Sequence, residues 1–207
     1  GDLGYEIWVD SAQAVPLWDA LIETGAPYGI TPAGMLALDV ARIEAGLLLI
    51  EVDYFSSRHA LIEAQKSSPL ELGLGWTVAT DKARYNGKDA LDAERRRGPS
   101  WQFTGLTVDW DSLEKLYAEV GLPPRVPTQA WRMSVPIYDP GGRQVGYATS
   151  GGWSPLLKRY MAVAHLESPS AAPGRQLRME ITVEHRRKQA TAHVTPLPFF
   201  NPERKRA

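Results

Sequence analysis

The sequence predicts an α+β protein: helices and a strand in its first half, then a mostly β second half closing into an antiparallel barrel. Three observations carry this. Residues 5–46 hold one alternating apolar/polar run followed by two segments of helical periodicity with start and stop residues. At 95–100 the chain turns abruptly to charge, Gly and Pro in "RRRGPS", which marks a boundary. Beyond it, short strand-like runs alternate with Gly/Pro turns. We therefore divide the chain into units at 1–98 and 101–203.

Taken in order, Tyr5, Ile7 and Val9 alternate with Glu6 and Trp8, the pattern of a half-buried strand. "DSAQAVPLWDALIETG" follows as a helix, with Ser11 as N-cap, Pro16 in the first turn and Gly25 as the stop. "TPAGMLALDVARIEAG" is a second helix, with Thr31 as cap, Pro32 at the first helical position and Gly46 closing it. Within it Asp39 and Arg42 stand three apart and can pair. "ELGLGWTVATDKARYNGKDALDAERRR" reads as a strand, a turn near Asp81–Lys82 and a short helix from about Lys88. In the second unit "WQFTGLTVDW" is a strand and "DSLEKLYAEVG" an amphipathic helix. "MSVPIYDPGGRQVGYATSG" is a hairpin turning at Asp139–Gly142, and "GRQLRMEITVEHRRKQATAHVTPLPFF" a second strand pair turning near Arg186–Gln189.

The totals exclude several classes. With 207 residues, 43% hydrophobic and 23% charged, the chain is a folded protein of one or two domains. Its net charge is −1, and the short basic runs at 94–98, 185–188 and 203–207 read as solvated turns and ends, with phosphate binding as the alternative. Nucleic acid is therefore not an expected partner. No apolar run approaches the roughly 20 residues that span a bilayer, so no membrane partner is expected. The absence of cysteine removes disulfides, thiolate catalysis and cysteine-ligated zinc, leaving the cytoplasm as the default location.

Candidate chemistry is sparse. His59, His165, His185 and His193 lack metal-ligand spacing, although His185 and His193 lie near or on presumed partner strands and can face each other. "SGGWSP" at 150–155 does not fit G-x-S-x-G and reads as a tight turn. No dinucleotide or phosphate loop occurs. Asp39, Arg42 and Glu44 share a helix, where a structural ion pair is the plain reading. Glu6 is different, because Trp8 shares its face. A carboxylate accepts two adjacent N–H donors in a fork while an indole covers a flat ring, which suits a pterin or pyrimidine edge. The alternative is an edge-strand Glu that resists aggregation.

Six stretches, in order, resemble the glycine cleavage T-protein (aminomethyltransferase) family: "GDLGYEIWV", "GMLALDVARIEAG", "SSPLELGLGWTV", "YNGKDAL", "VGYATSGGWSPLLKRYMAVAHL" and "PLPFFNPERKRA". The resemblance runs from residue 1 to about 204 and extends to the sarcosine-dehydrogenase-like and demethylase branches. It implies that 1–98 is the end of a folate-binding α+β domain and 101–203 the family's C-terminal β-barrel. It also implies tetrahydrofolate as cofactor, a small-molecule donor of an aminomethyl or methyl group, and a lipoyl-carrier partner if the chain is a true T-protein. A non-catalytic folate-binding or regulatory module and the C-terminal arm of a larger folate-linked oxidoreductase are the alternatives.

The resemblance also assigns residues. Glu6 stands at the family's "G-Y-E" glutamate, which contacts the pterin, and Trp8 would stack near it. The family's helix motif, G-L-A-A-R-D-S-L-R-L-E-A-G, has its second Arg at Arg42, which the resemblance makes a cofactor-binding candidate, with bracing of the helix as the alternative. Its first, ligand-contacting Arg is replaced by Leu38, a departure that counts against glycine cleavage as the reaction. Arg204 falls about where T-proteins place a ligand-contacting Tyr. The segment "DWDSLEKLYAEVGLPPRVPTQAW" is longer than its family counterpart. No residue of the chain matches the family's catalytic Asp, which lies before the "GYE" strand. The expectation is a fragment, inactive alone, with a former interface exposed.

Overall fold

The computed structural model describes residues 4–203. Four α-helices and six strands occur among them: α1 (Ala14–Gly25), α2 (Met35–Glu44), α3 (Lys88–Arg97), β1 (Trp101–Val108), α4 (Trp110–Ala118), β2 (Val135–Tyr138), β3 (Gln144–Ser154), β4 (Arg159–Glu167), β5 (Gln176–Val183) and β6 (Arg186–Thr195). The six strands form a closed barrel in the order β1-β4-β3-β2-β5-β6, antiparallel throughout. This is the α+β class with the C-terminal antiparallel barrel that the sequence predicts. Closure by β1 against β6 leaves no free sheet edge.

Alternation fills the barrel. Leu106, Ile137, Val145, Ala162, Leu166, Leu177, Met179 and Val194 are buried together inside. Strand β4 is buried on both faces. Ala162, Ala164 and Leu166 point inward, whereas Met161 and Val163 pack outward against Ile43 of α2, with Leu197 and Phe199 beside them. The run "YMAVAHL" is apolar without alternation for that reason. Helix α2 thus lies on the barrel wall. Its end is closed as expected at Gly46 (φ 65°), with Leu47 N–H donating to Arg42 C=O and Gly46 N–H to Ile43 C=O, the paired bonds of a Schellman stop. Phe200 N–H adds a bond to Glu44 C=O. Helix α4 begins at Asp109, whose carboxylate accepts from Ser112 N–H at 2.7 Å.

Several local expectations are corrected. Tyr5–Val9 forms no strand: no described segment pairs with it, and a lone strand leaves its backbone groups to water. Ser11 does not cap α1. It opens a short 3-10 turn, and Gln13 is the N-cap, although Pro16 and Gly25 sit where predicted. Helix α2 starts at Met35 instead of at Pro32: Gly34 is extended and is the N-cap, and the Thr31 hydroxyl donates back to Gly29 C=O. Residues 71–80 hold no strand. Gly73 (φ 71°) turns the chain, and Leu74 N–H bonds back to Pro69 C=O. Helix α3 does begin at Lys88.

In the barrel, "SGGWSP" is not a turn, since Ser150–Ser154 lies within β3. Its glycines admit another chain segment instead: Trp131 exchanges backbone bonds with Gly151, and a Cβ there would fall 2.3 Å from the indole. The β5–β6 turn falls at Glu184–His185 (φ 45° and 60°), the two-residue hairpin with both central residues left-handed. His185 therefore sits in the turn while His193 pairs with Gln176, so the two do not face each other.

Candidate functional site

The best-connected polar cluster joins α2 to the barrel wall. Arg42 reaches off the helix with its side chain only 10% exposed. Its Nε donates to Asp39 Oδ1 at 3.0 Å, its Nη1 to Asp53 Oδ2 and its Nη2 to Ser150 Oγ at 2.8 Å. Asp53 is the hub. Its Oδ2 also accepts Leu49 N–H at 2.8 Å, and its Oδ1 accepts the hydroxyls of Thr149 and Ser150, each at 2.6 Å. Its carbonyl takes His165 Nε2–H at 2.6 Å. Every lone-pair direction of this buried carboxylate is thus met by a donor. Arg132 closes the far side, donating from Nε to Asp39 Oδ2 at 2.9 Å.

Local sequence explains the delivery. Asp39 and Arg42 are three apart on one helical face, as predicted. The tight turn after α2 places Asp53 beneath them, with Asp53 N–H bonded to Leu49 C=O. The β3 bulge between Ala148 and Ser150 aims two successive hydroxyls at the same carboxylate. Burial pushes the Asp39 carboxyl up, but the hydrogen bonds and charges of Arg132 and Arg42 outweigh it and hold the group below its usual range. Burial lowers His165 despite the Asp53 carbonyl and the negative charges of Asp53 and Glu71. Its neutral ring stacks on Tyr147 at 5.4 Å and meets Phe103 at 5.2 Å.

The predicted site residues separate. Arg42 serves this internal cluster, all three of its guanidinium nitrogens engaged by protein. Glu6 and Trp8 stand on the irregular exposed segment before α1, with Trp8 86% exposed. Neither makes a hydrogen bond, ion pair or ring contact among the described residues. Leu38 faces outward on α2. Arg204 lies outside the described residues. Residues 4–36 expose several large apolar side chains, among them Tyr5, Trp18, Tyr28 and Met35. Among the described residues no group of three or more His, Cys, Asp or Glu is placed to hold a metal, and no helix is long and apolar enough to cross a membrane. Sequence reasoning missed Asp53, Thr149, Ser150, His165 and Arg132. The one available signal was the Thr–Ser pair between the small residues Ala148 and Gly151 of β3.

Glu6 offers a carboxylate with both oxygens free for a fork of N–H donors, and Trp8 a free indole face. Two acceptor oxygens and an indole face are complementary to the two N–H donors and the flat ring of a pterin edge.

Two family descriptions match the chain in succession. "GCVT N-terminal domain" covers residues 1–82 and "Glycine cleavage T-protein C-terminal barrel domain" residues 120–201. A protein named Aminomethyltransferase from Halothermothrix orenii is 36% identical over 200 residues, covering 97% of this chain and 47% of the relative. One of the same name from Bacillus pumilus is 33% identical over 201 residues, with 97% and 47% coverage. The chain spans about half the length of the curated relatives it matches. The crystal structure of the glycine cleavage system aminomethyltransferase T from Bartonella henselae superposes with a TM-score of 0.67 at 23% identity, over 91% of this chain and 44% of that one. At that identity the likeness is one of fold.

Proposed function

We infer a folate-linked one-carbon role from the premise that this chain belongs to the glycine cleavage T-protein family. The observation that carries it is the match of both family descriptions, in order, on a chain whose closed barrel agrees with the second of them. The relatives are named aminomethyltransferases, and we extend to this protein the transfer of an aminomethyl or methyl carbon to tetrahydrofolate. Residues 1–98 are read as folate-binding and 101–203 as the supporting barrel. A lipoyl-carrier partner and a cytoplasmic location belong to the same proposal.

Tetrahydrofolate would supply the nitrogen that accepts the carbon. Glu6 would receive the two adjacent N–H groups of the pterin edge, and Trp8 would cover the ring. Arg42 is assigned a bracing role: its donors are spent on Asp39, Asp53 and Ser150, so it holds α2 on the barrel instead of reaching a ligand. Catalysis in such a site rests on positioning and one acid or base. Arg204 is retained as a lesser ligand candidate from the resemblance alone.

Leu38 favours a second reading. A leucine exposed where the family carries a ligand-contacting guanidinium suits a folate-dependent demethylase or a folate-binding module better than glycine cleavage.

Isothermal titration with tetrahydrofolate tests the proposal. Glu6→Gln keeps shape but loses one acceptor and the charge, and an affinity loss of about tenfold or more is expected, as for a hydrogen bond to a charged group. Unchanged affinity removes Glu6 from the site, and no heat of binding at all removes the folate reading for this chain.

A further inference from the structure

A concave site is lined by neither Glu6 nor any residue hydrogen-bonded to the Asp53 carboxylate. Residues of the 125–134 segment and the start of β2 line a cleft of about 550 Å³ together with Tyr117, Tyr160 of β4, residues 180–182 of β5 and Arg187 of β6, within the range of small-molecule sites. It draws on the stretch that the sequence marks as longer than its family counterpart, and its Tyr117 falls in the span that neither family description matches.

We propose that this cleft binds a small flat molecule carrying a carboxylate. Three rings supply the flat walls: Tyr117, Trp131 and Tyr160. Val135 and Ile181 add apolar surface. The polar groups call for an acceptor. Tyr160 is 8% exposed, and its hydroxyl oxygen accepts Trp131 Nε1–H at 3.1 Å. Its own proton has no acceptor among the described residues. Burial pushes this phenol up to about 12, so the proton is present at neutral pH. Of the charged lining residues, Glu180 is taken up by Arg187 at 3.6 Å and by the Tyr138 hydroxyl at 3.4 Å. Arg125 has no carboxylate partner among the described residues, so the lining carries one excess positive charge.

The cleft is also preorganised, which lowers the ordering cost of binding. The Tyr117 hydroxyl donates to Arg125 C=O at 3.1 Å and anchors one end of the covering segment. At the other end Trp131 is held by its two backbone bonds to Gly151 and by its indole N–H. The acceptor requirement, the aromatic walls and the unpaired guanidinium together select an aromatic carboxylate over a neutral or purely aliphatic one.

Saturation-transfer NMR on the whole chain tests this with benzoate, benzyl alcohol and acetate as probes. Benzoate should bind saturably at millimolar concentration, and the other two at least about tenfold more weakly, the worth of one charge-assisted hydrogen bond or one stacked ring. Tyr160→Phe and Arg125→Gln should each weaken benzoate by about threefold to tenfold. Arg125 is exposed, so its variant keeps the fold and decides the matter if Tyr160→Phe does not. Tetrahydrofolate should leave benzoate bound. Absent benzoate binding, equal binding of benzyl alcohol, indifference to Arg125→Gln, or displacement by tetrahydrofolate would each overturn the proposal.

Discussion

Replacing Asp53 with asparagine tests the claim that one buried carboxylate docks α2 on the barrel. The amide is the same size, so the packing around this fully buried side chain is kept. The introduced amide can turn its oxygen toward Arg42 and Leu49 N–H and its amino group toward the hydroxyls of Thr149 and Ser150, which can rotate to accept. Geometry survives, and the lost quantity is the charge facing a guanidinium that is itself 10% exposed. Breaking a buried pair costs about 3–5 kcal/mol. Arg42 keeps Asp39 as a second partner, so we expect the lower end, about 3 kcal/mol. Urea unfolding followed by tryptophan fluorescence reads this as a fall of about 1 M or more in midpoint for a urea slope of about 1–3 kcal/mol/M. A double-mutant cycle with Arg42→Gln isolates the pair, with an expected coupling of about 1–3 kcal/mol. A stability within about 0.5 kcal/mol of the parent, or strict additivity in the cycle, would refute the hub role of Asp53.

Three further outcomes follow from the same geometry. Gly151→Ala places a methyl against the Trp131 ring and 2.7 Å from Met161 C=O. Overpacking there should cost about 1–3 kcal/mol and lower the melting temperature by several degrees in calorimetry. Asp39 has its folded pKa depressed below 3.8, so its contribution is complete above that value and lost as pH falls through the folded pKa. Arg132→Gln should therefore shift acid unfolding to higher pH, by a modest amount because the Arg132 side chain is 47% exposed. His165 is held neutral, its pKa lowered from 6.5. Stability should be level above that value and decline as the unfolded chain takes up a proton below it, and His165→Gln should flatten that slope in pH-dependent urea melts.

Where a signal was local, the sequence was enough to read it. Pro16 falls in the first turn of α1, Gly46 stops α2, and Asp139–Gly142 turns the first hairpin, because proline fixes its own φ and glycine admits the left-handed conformation that a helix stop or tight turn needs. Alternating strands and six ordered motifs sufficed for the barrel and the family. The strand expected at 5–9 needed a partner that no local pattern supplies. "SGGWSP" looked like a turn because glycine serves turns and close approaches alike, and only the crossing of Trp131 tells them apart. Asp53 was invisible for a related reason. Nothing in "EVDYF" distinguishes a surface aspartate from one that accepts hydroxyls 96 and 97 residues away. Arg42 could be placed on its helix face from spacing alone, but whether it braces or binds depended on what stood opposite. Periodicity and turn chemistry are properties of neighbouring residues; the occupancy of a buried carboxylate is set by which distant donors the closed barrel brings within hydrogen-bond reach.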